Sequence, residues 1–419
     1  MPALKMSRKL ERIPHELYSV MKRSSEVDQA EFLTDPGPYY NPELYIGPVR
    51  PISTPAGRVW LVTRYADAKQ ALADLRLSKN LDMLPGGRES SRVPIETRIY
   101  MGKHMHNADP PDHTRLRRAI AREFTPRKIA SLDLKVSQLA EDLIDRMEQS
   151  PDRTADLITD FALPLPLRML CKLLGLPAGD AENLRRWTEN LTNGETNAVT
   201  RLSASRSLNE YLTNTIKEKQ KLSSRDDLIS ALIIASRSSS EIDDEELVST
   251  LFLLIVSGFE TAAHLIGNSV YLLLTHREQI GPLLKDMNLA ENVIEEALRL
   301  RSPVETTMRR FTVEPVRIGS VTIPAGQVVL VSLASANRNP AGPLPNRTLD
   351  VLIGKESHLA FGHGIHRCVG APLAKMQGRI AVEALFTRLP NLRLSVPVST
   401  LAWRPAMLLR GLRELPVCW

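Results

Sequence analysis

The chain has 419 residues, 43% apolar and 24% charged, a balance that excludes a disordered chain and permits a large core without covalent staples. Lys and Arg total 54 against 48 Asp and Glu. A net charge of +6 spread over this length is no footprint for nucleic acid, although it allows a local basic face toward an acidic partner.

The N-terminal stretch MPALKMSRKLERIPHEL is charged throughout and lacks the apolar core of a signal peptide. Residues 57–63, GRVWLVT, read as a strand, followed by helical spacing in YADAKQALADL. Residues 82–108 and 189–203 show no apolar period and are expected to be binding or surface loops. Apolar positions three and four apart predict helices over 129–149, 204–221, 245–275, 289–301 and 371–388. The richest apolar run, Leu251 to Val256, is far short of the 18 residues a membrane span needs, so no membrane association is expected. Residues 320–332 carry β-branched residues on both sides of Pro-Ala-Gly, as a hairpin does. Cys171, Cys368 and Cys418 lie far apart and form no disulfide framework, which suits a cytoplasmic location. The fold class expected is mainly α with small β-sheets, as one domain over 1–419.

Chemistry concentrates at 361–371, FGHGIHRCVGA, just before a helical pattern. A sulfur at a helix N-terminus meets the positive end of the macrodipole, and the neighbouring Arg367 also favours thiolate. From the residues alone Cys368 reads as a structural core cysteine, as a zinc ligand with His363 and His366 but no fourth partner, or as a haem-thiolate ligand. A second focus is Gly258, which interrupts an apolar helix at a cost of about 1 kcal/mol relative to Ala. A glycine there can open the hydrogen-bond ladder, with Glu260 and Thr261 beside the opening to hold water and relay protons. The plainer reading is an exposed Glu and a Thr bonded back to its own helix. His113 and Arg117, at i and i+4, share one helix face.

The string FGHGIHRCVG resembles the FGxGxHxCxG signature of the cytochrome P-450 family at every fixed position. The rest of the chain resembles the family's soluble bacterial members in order: DPPDHTRLRRAIAREFTP, DFALPLPLRMLCKLLGLP, STLFLLIVSGFETAA, Glu-Ala-Leu-Arg at 296–299, IPAG and ANRNP. The resemblance implies a cytochrome P-450 fold with haem b between the long central helix and the cysteine loop. Cys368 would be the iron ligand, and Phe361, Gly362 and Gly370 would shape its loop. His113, Arg117, Arg309 and His366 would hold the propionates. Gly258 would give dioxygen room, while Glu260 and Thr261 deliver the protons for oxygen–oxygen cleavage. Glu296 and Arg299 would form a structural ion pair behind the thiolate loop.

Four departures from the family pattern stand out. Ser257 replaces the commoner Ala or Gly, and Ala262 replaces a frequent hydroxyl residue. Ile353 stands where a third, arginine partner of the ion pair is usual, which leaves Lys355 as a substitute or a reduced pair. Asn339 replaces the Asp of ANRDP.

The implied activity is that of an O2- and NAD(P)H-dependent monooxygenase, hydroxylating or epoxidising a hydrophobic natural product such as a polyketide or peptide. Electrons would come from ferredoxin and ferredoxin reductase on separate chains, since this one carries no flavin or iron–sulfur fingerprint. Alternatives are oxidative aryl or phenol coupling by the same haem, and a haem-thiolate sensor without turnover. Substrate contacts are expected from Val256, Val304, Glu305, Met308 and Met407, the carboxylate of Glu305 facing a basic group or solvent. The ferredoxin would dock on the basic face of Arg115, Arg118, Arg122, Arg367, Lys375 and Arg379, and the protein would act as a monomer.

Overall fold

The computed structural model describes residues 49–54, 57–83, 102–221, 226–239, 241–338, 348–353, 357–404 and 408–419. The strands, in chain order, are β1 (Val49–Thr54), β2 (Gly57–Val62), β3 (Leu77–Ser78), β4 (Thr154–Asp156), β5 (Arg310–Thr312), β6 (Val316–Ile318), β7 (Val321–Ile323), β8 (Val328–Val331), β9 (Arg393–Leu394) and β10 (Pro416–Cys418). The longer helices are α1 (Tyr65–Ala73), α2 (Asp112–Ala121), α3 (Asp133–Glu148), α4 (Pro164–Leu174), α5 (Ala181–Thr192), α6 (Ala198–Lys221), α7 (Leu228–Ser239), α8 (Asp244–Gly258), α9 (Glu260–Thr275), α10 (Ala290–Leu300) and α11 (Ala371–Arg388). The result is mostly helical with small sheets, as the periodicities require.

The largest sheet has the order β1-β2-β8-β5-β3, with β1 and β2 antiparallel and β2 parallel to β8. The expected hairpin over 320–332 does not form. β7 turns back to pair with β6, while β8 pairs with β2 and β5, so the strands flanking Pro324-Ala325-Gly326 belong to different sheets. Local β-propensity was right, but long-range partners decided the pairing. The irregular segment expected over 189–203 is also shorter than its polarity suggests. α5 runs to Thr192 and α6 starts at Ala198, with Arg201 donating to the carbonyls of Asn193 and Thr196 across the turn.

Helix ends follow their local chemistry. α4 opens on Pro164 and ends on Gly175 at φ 64, where Leu176 N–H bonds Cys171 O and Gly175 N–H bonds Lys172 O. At the start of α8, Asp243 accepts from Glu246 N–H and Glu246 accepts from Asp243 N–H, a reciprocal cap.

The predicted single helix over 245–275 is two helices. The chain breaks at Phe259 (φ −117°, ψ −37°), directly after Gly258. The halves are rooted in different cores. Leu247, Leu251, Phe252, Leu254 and Ile255 of α8 pack with α2 and α4 to α7, whereas Leu265, Ile266, Val270 and Leu273 of α9 pack with α3, α10 and α11. The stretch Asp244–Thr275 is long and apolar enough to cross a membrane, but 72% of its most apolar window is buried inside the protein, as for a core helix.

Candidate active site

The loop before α11 turns twice through positive φ, at Gly362 (71°) and Gly364 (74°). At Gly364 a side chain is doubly excluded, since a Cβ would meet Leu72 O at 2.8 Å. Cys368 N–H donates to Phe361 O at 2.9 Å, closing the loop, and the Lys375 ammonium lies 5.7 Å from the Phe361 ring centroid. Cys171 is buried, as expected of a core cysteine, whereas Cys368 is exposed. Yet burial is the main influence on the Cys368 thiol and raises its pKa, against the backbone N–H groups of Gly370 and Ala371 and the charges of Arg117 and Arg367. Exposure and desolvation disagree for the same residue; both hold if its sulfur faces an internal hollow rather than bulk water. The helix-terminal N–H groups and Arg367 favour thiolate as expected, but desolvation opposes them and is the larger influence. A thiolate here calls for a facing cation.

His113 and Arg117, on α2, reach this loop. The His113 ring stands edge-on to that of His366, centroids 4.4 Å apart, and Arg117 donates to Arg367 O at 2.6 Å. His113 Nε2 is buried and unpartnered. His366 is pushed down to about 2 by burial, then by the charges of Lys79, Arg310, His113 and Arg117. Lys79 is itself buried and depressed, and its Nζ lies 3.0 Å from His106 Nε2. Asp109, which accepts from Lys79 N–H and from Ser78, is the carboxylate coupled to this group. Such crowding of bases around an orphaned ring nitrogen fits a ligand with acidic arms, and the sulfur facing a hollow fits its metal. Both requirements match haem.

The sequence indicated His113, Arg117 and His366 but missed Lys79, His106 and Arg310. Arg310 opens β5, is buried, and is the arginine whose charge acts on His366, whereas burial alone lowers Arg309. The pair of histidines in HMHN and the Lys of RLSKN were the available signals.

At the helix break Ser257 and Gly258 are exposed although their neighbours Ile255 and Phe259 are buried, again marking an inner surface. Thr261 Oγ1 donates to Ser257 O at 3.0 Å, so its resting contact is the back-bond of the plainer reading, set across the break. Glu260 is not the exposed acid of that reading: it is 4% exposed and its Oε1 accepts from Arg404 at 2.7 Å. Burial raises its pKa, opposed by Thr192 and Arg404 and assisted by Glu189.

Glu296 and Arg299 form a buried two-bond pair, both contacts 2.7 Å. Beside it Glu295 contacts His358 (3.0 Å) and Lys375 (2.5 Å), tying α10 to the cysteine loop and α11. Lys355, Asn339 and Met407 lie outside the described residues, as does 84–101 of the expected loop. Val256 and Met308 are half-buried, and Val304 bridges Leu409. Glu305 does not turn to solvent. It is buried with its carboxylate 4.0 Å from Arg410, because a carboxylate taken out of water needs a cation. The basic face is thinner than expected: Arg115 holds Glu246 and Asp112, Arg122 holds Glu241, Lys375 holds Glu295, and Arg379 holds Asp133 and Glu383. Arg118 and Arg367 remain as its exposed cations.

A family model described as Cytochrome P450 matches residues 197–391. Cytochrome P450 monooxygenase PikC of Streptomyces venezuelae is 41% identical over 392 residues, covering 93% of this chain and 92% of that protein. The 6-deoxyerythronolide B hydroxylase of Saccharopolyspora erythraea is 38% identical over 378 residues, 88% of this chain and 92% of that protein. Among solved structures, the tirandamycin C-bound P450 monooxygenase TamI superposes with a TM-score of 0.85 at 37% identity, covering 94% of this chain and 99% of that one.

Proposed function

This chain belongs to the cytochrome P450 family of monooxygenases, and from that membership we propose that it inserts one atom of dioxygen into a hydrophobic natural product, by hydroxylation or epoxidation. The substrate class, of polyketide or peptide kind, is supported by the relatives that carry such names. The observation that carries the reading is Cys368: the one exposed cysteine of the three, held in a closed loop with two backbone N–H groups directed at its sulfur.

Haem b, when bound, supplies the iron that activates dioxygen. Cys368 is its ligand, and its thiolate is supported by the N–H groups of Gly370 and Ala371 and by Arg117. His113, Arg117, His366 and Arg310 would hold the propionates, with Lys79 and His106 in the same basic cluster; the role first assigned to Arg309 is better filled by Arg310. Thr261 can exchange its bond to Ser257 O for a water in the hollow, and Glu260 is the buried acid that resupplies the proton. A sensor without turnover has no use for a buried acid at this break. Electrons come from a ferredoxin at the face carrying Arg118 and Arg367, on the cysteine side.

Two measurements test this reading. Reduced protein under carbon monoxide should give the red-shifted Soret band of thiolate ligation, and Cys368→His should abolish it; a mutant that keeps the band removes Cys368 from the metal. Compounds that shift the haem spin state should then be turned over to products one oxygen heavier. Products that lose hydrogen without gaining oxygen would establish coupling instead.

A further inference from the structure

Two adjacent glutamates of α10 have different partners. Glu296 gives both carboxylate oxygens to Arg299, one turn along, so that pair stays within its own helix. Glu295 reaches outward. Its Oε2 lies 3.0 Å from His358 Nε2 and its Oε1 lies 2.5 Å from Lys375 Nζ. His358 stands just before the glycine turns of the cysteine loop, and Lys375 is on α11, just after it. One buried carboxylate thus joins the limb that enters the loop to the helix that leaves it.

The chemistry of the two partners dictates what can join them. His358 Nδ1 accepts from Ala360 N–H at 3.2 Å, so the ring proton is on Nε2 and points at Glu295. The Lys375 ammonium has only donors to offer. Two donors converging from the two limbs need a group with an acceptor for each and no hydrogen of its own. A carboxylate meets that requirement and an amide does not. Burial raises the Glu295 pKa, but the bonds from His358 and Lys375 outweigh it and hold the carboxyl below its usual range.

Both partners also border Phe361. Lys375 Nζ is 5.7 Å from its ring centroid, and the His358 ring is 6.1 Å from it. Phe361 O is the acceptor of Cys368 N–H, at 2.9 Å. The Lys375 side chain is 31% exposed and has water within reach. A cation–π contact at a partly exposed site does not by itself outweigh the rotamer entropy of a lysine, so Glu295 is what keeps the ammonium over the ring.

We propose that Glu295 is a positioning residue for Cys368: through His358 and Lys375 it latches the cysteine loop shut and so keeps the thiolate on the metal. The pair Glu296–Arg299 stabilises the fold as a whole, whereas Glu295 governs a local opening of the loop. The inference rests on the reading of Cys368 as the iron ligand.

Glu295→Gln is the test. Gln has the shape of Glu but a single acceptor, so its NH2 group is set against either His358 or Lys375. The holoprotein, reduced under carbon monoxide, is held in urea well below its unfolding midpoint. Decay of the red-shifted Soret band then reads loss of thiolate ligation, and far-ultraviolet circular dichroism reads the fold. Losing a hydrogen bond to a charged group should speed that decay about 10-fold or more in Glu295→Gln, while the helical signal stays constant. Lys375→Met should match it, and Lys375→Arg, which keeps a donor cation, should decay near the wild-type rate. A wild-type rate in Glu295→Gln, or a band lost only in step with the helical signal, overturns the proposal. Should Glu295→Gln fail to take up haem, Lys375→Met, at a more exposed site, decides by the same criteria. The underlying reading fails separately: a Cys368→His variant that keeps the band removes Cys368 from the metal whatever the latch variants show.

Discussion

Replacing Glu296 by Leu should be among the most damaging single changes away from the metal. Glu296 and Arg299 are 2% and 3% exposed, and both guanidinium contacts between them are 2.7 Å. The substitution leaves Arg299 buried without the carboxylate that accepts both bonds. Stranding one member of a buried pair costs about 3–5 kcal/mol, roughly a 10²- to 10⁴-fold change in the folding equilibrium. Replacing both residues by Leu should therefore recover most of the loss, since an apolar substitute for a whole buried pair is often neutral. Urea unfolding of the holoprotein, followed by far-ultraviolet circular dichroism, reads the difference. With a slope of about 3 kcal/mol per M, the single variant should shift the midpoint by about 1 M or more, and the double variant by much less. A single variant within about 0.2 M of wild type would refute the desolvation reasoning. A double variant as weak as the single would show that other groups depend on Arg299.

Thr261→Ala should bind substrate normally but give less product per NAD(P)H, with peroxide making up the difference; an unchanged ratio removes Thr261 from the relay. Gly411→Ala should cost about 1–3 kcal/mol because its Cβ meets the His264 ring, and adding His264→Ala should return part of that, measured by thermal melting. The hydrogen bonds of Arg115 hold the Glu246 carboxyl below its usual range despite burial. Its contribution to stability is therefore complete above the unfolded carboxylate range and is lost as pH falls through the lower folded value, so Glu246→Gln should flatten the acid side of the stability profile. Arg118→Glu should slow the first electron from ferredoxin and weaken its salt dependence while leaving the substrate-induced spin shift intact.

The elements governed by local periodicity were legible. α11 occupies the residues its spacing indicates, and α10 falls within one residue of them at each end. Gly258 marked a break that the apolar run alone would have concealed. What depended on distant partners was not legible. β7 and β8 look like a hairpin until β6 and β2 claim them. Arg309 and Arg310 are interchangeable in a string, but only Arg310 opens β5 and is buried. The partner of Glu305, Arg410, lies more than a hundred residues away in the sequence. Arg404 carries no motif: its meaning lies in Glu260 and Glu189, 144 and 215 positions distant.

Because the two halves of the central helix are anchored in separate cores, the chain is also divided for inheritance. The helices packed with α8 include α5 and α6, whereas α11 and the pair Glu296–Arg299 pack with α9. Exchanging residues 164–258 with those of a relative keeps α5 to α8 together, while α2 against α8 and Leu165 and Met169 of α4 against the other core become contacts between parents. Polar partners that cross the seam include Glu189, which must still find an arginine at 404. Chimaeras cut at Phe259 should fold more often than those cut within α8 or α9, and new substrate ranges can arise in one half without disturbing how the other half holds its metal.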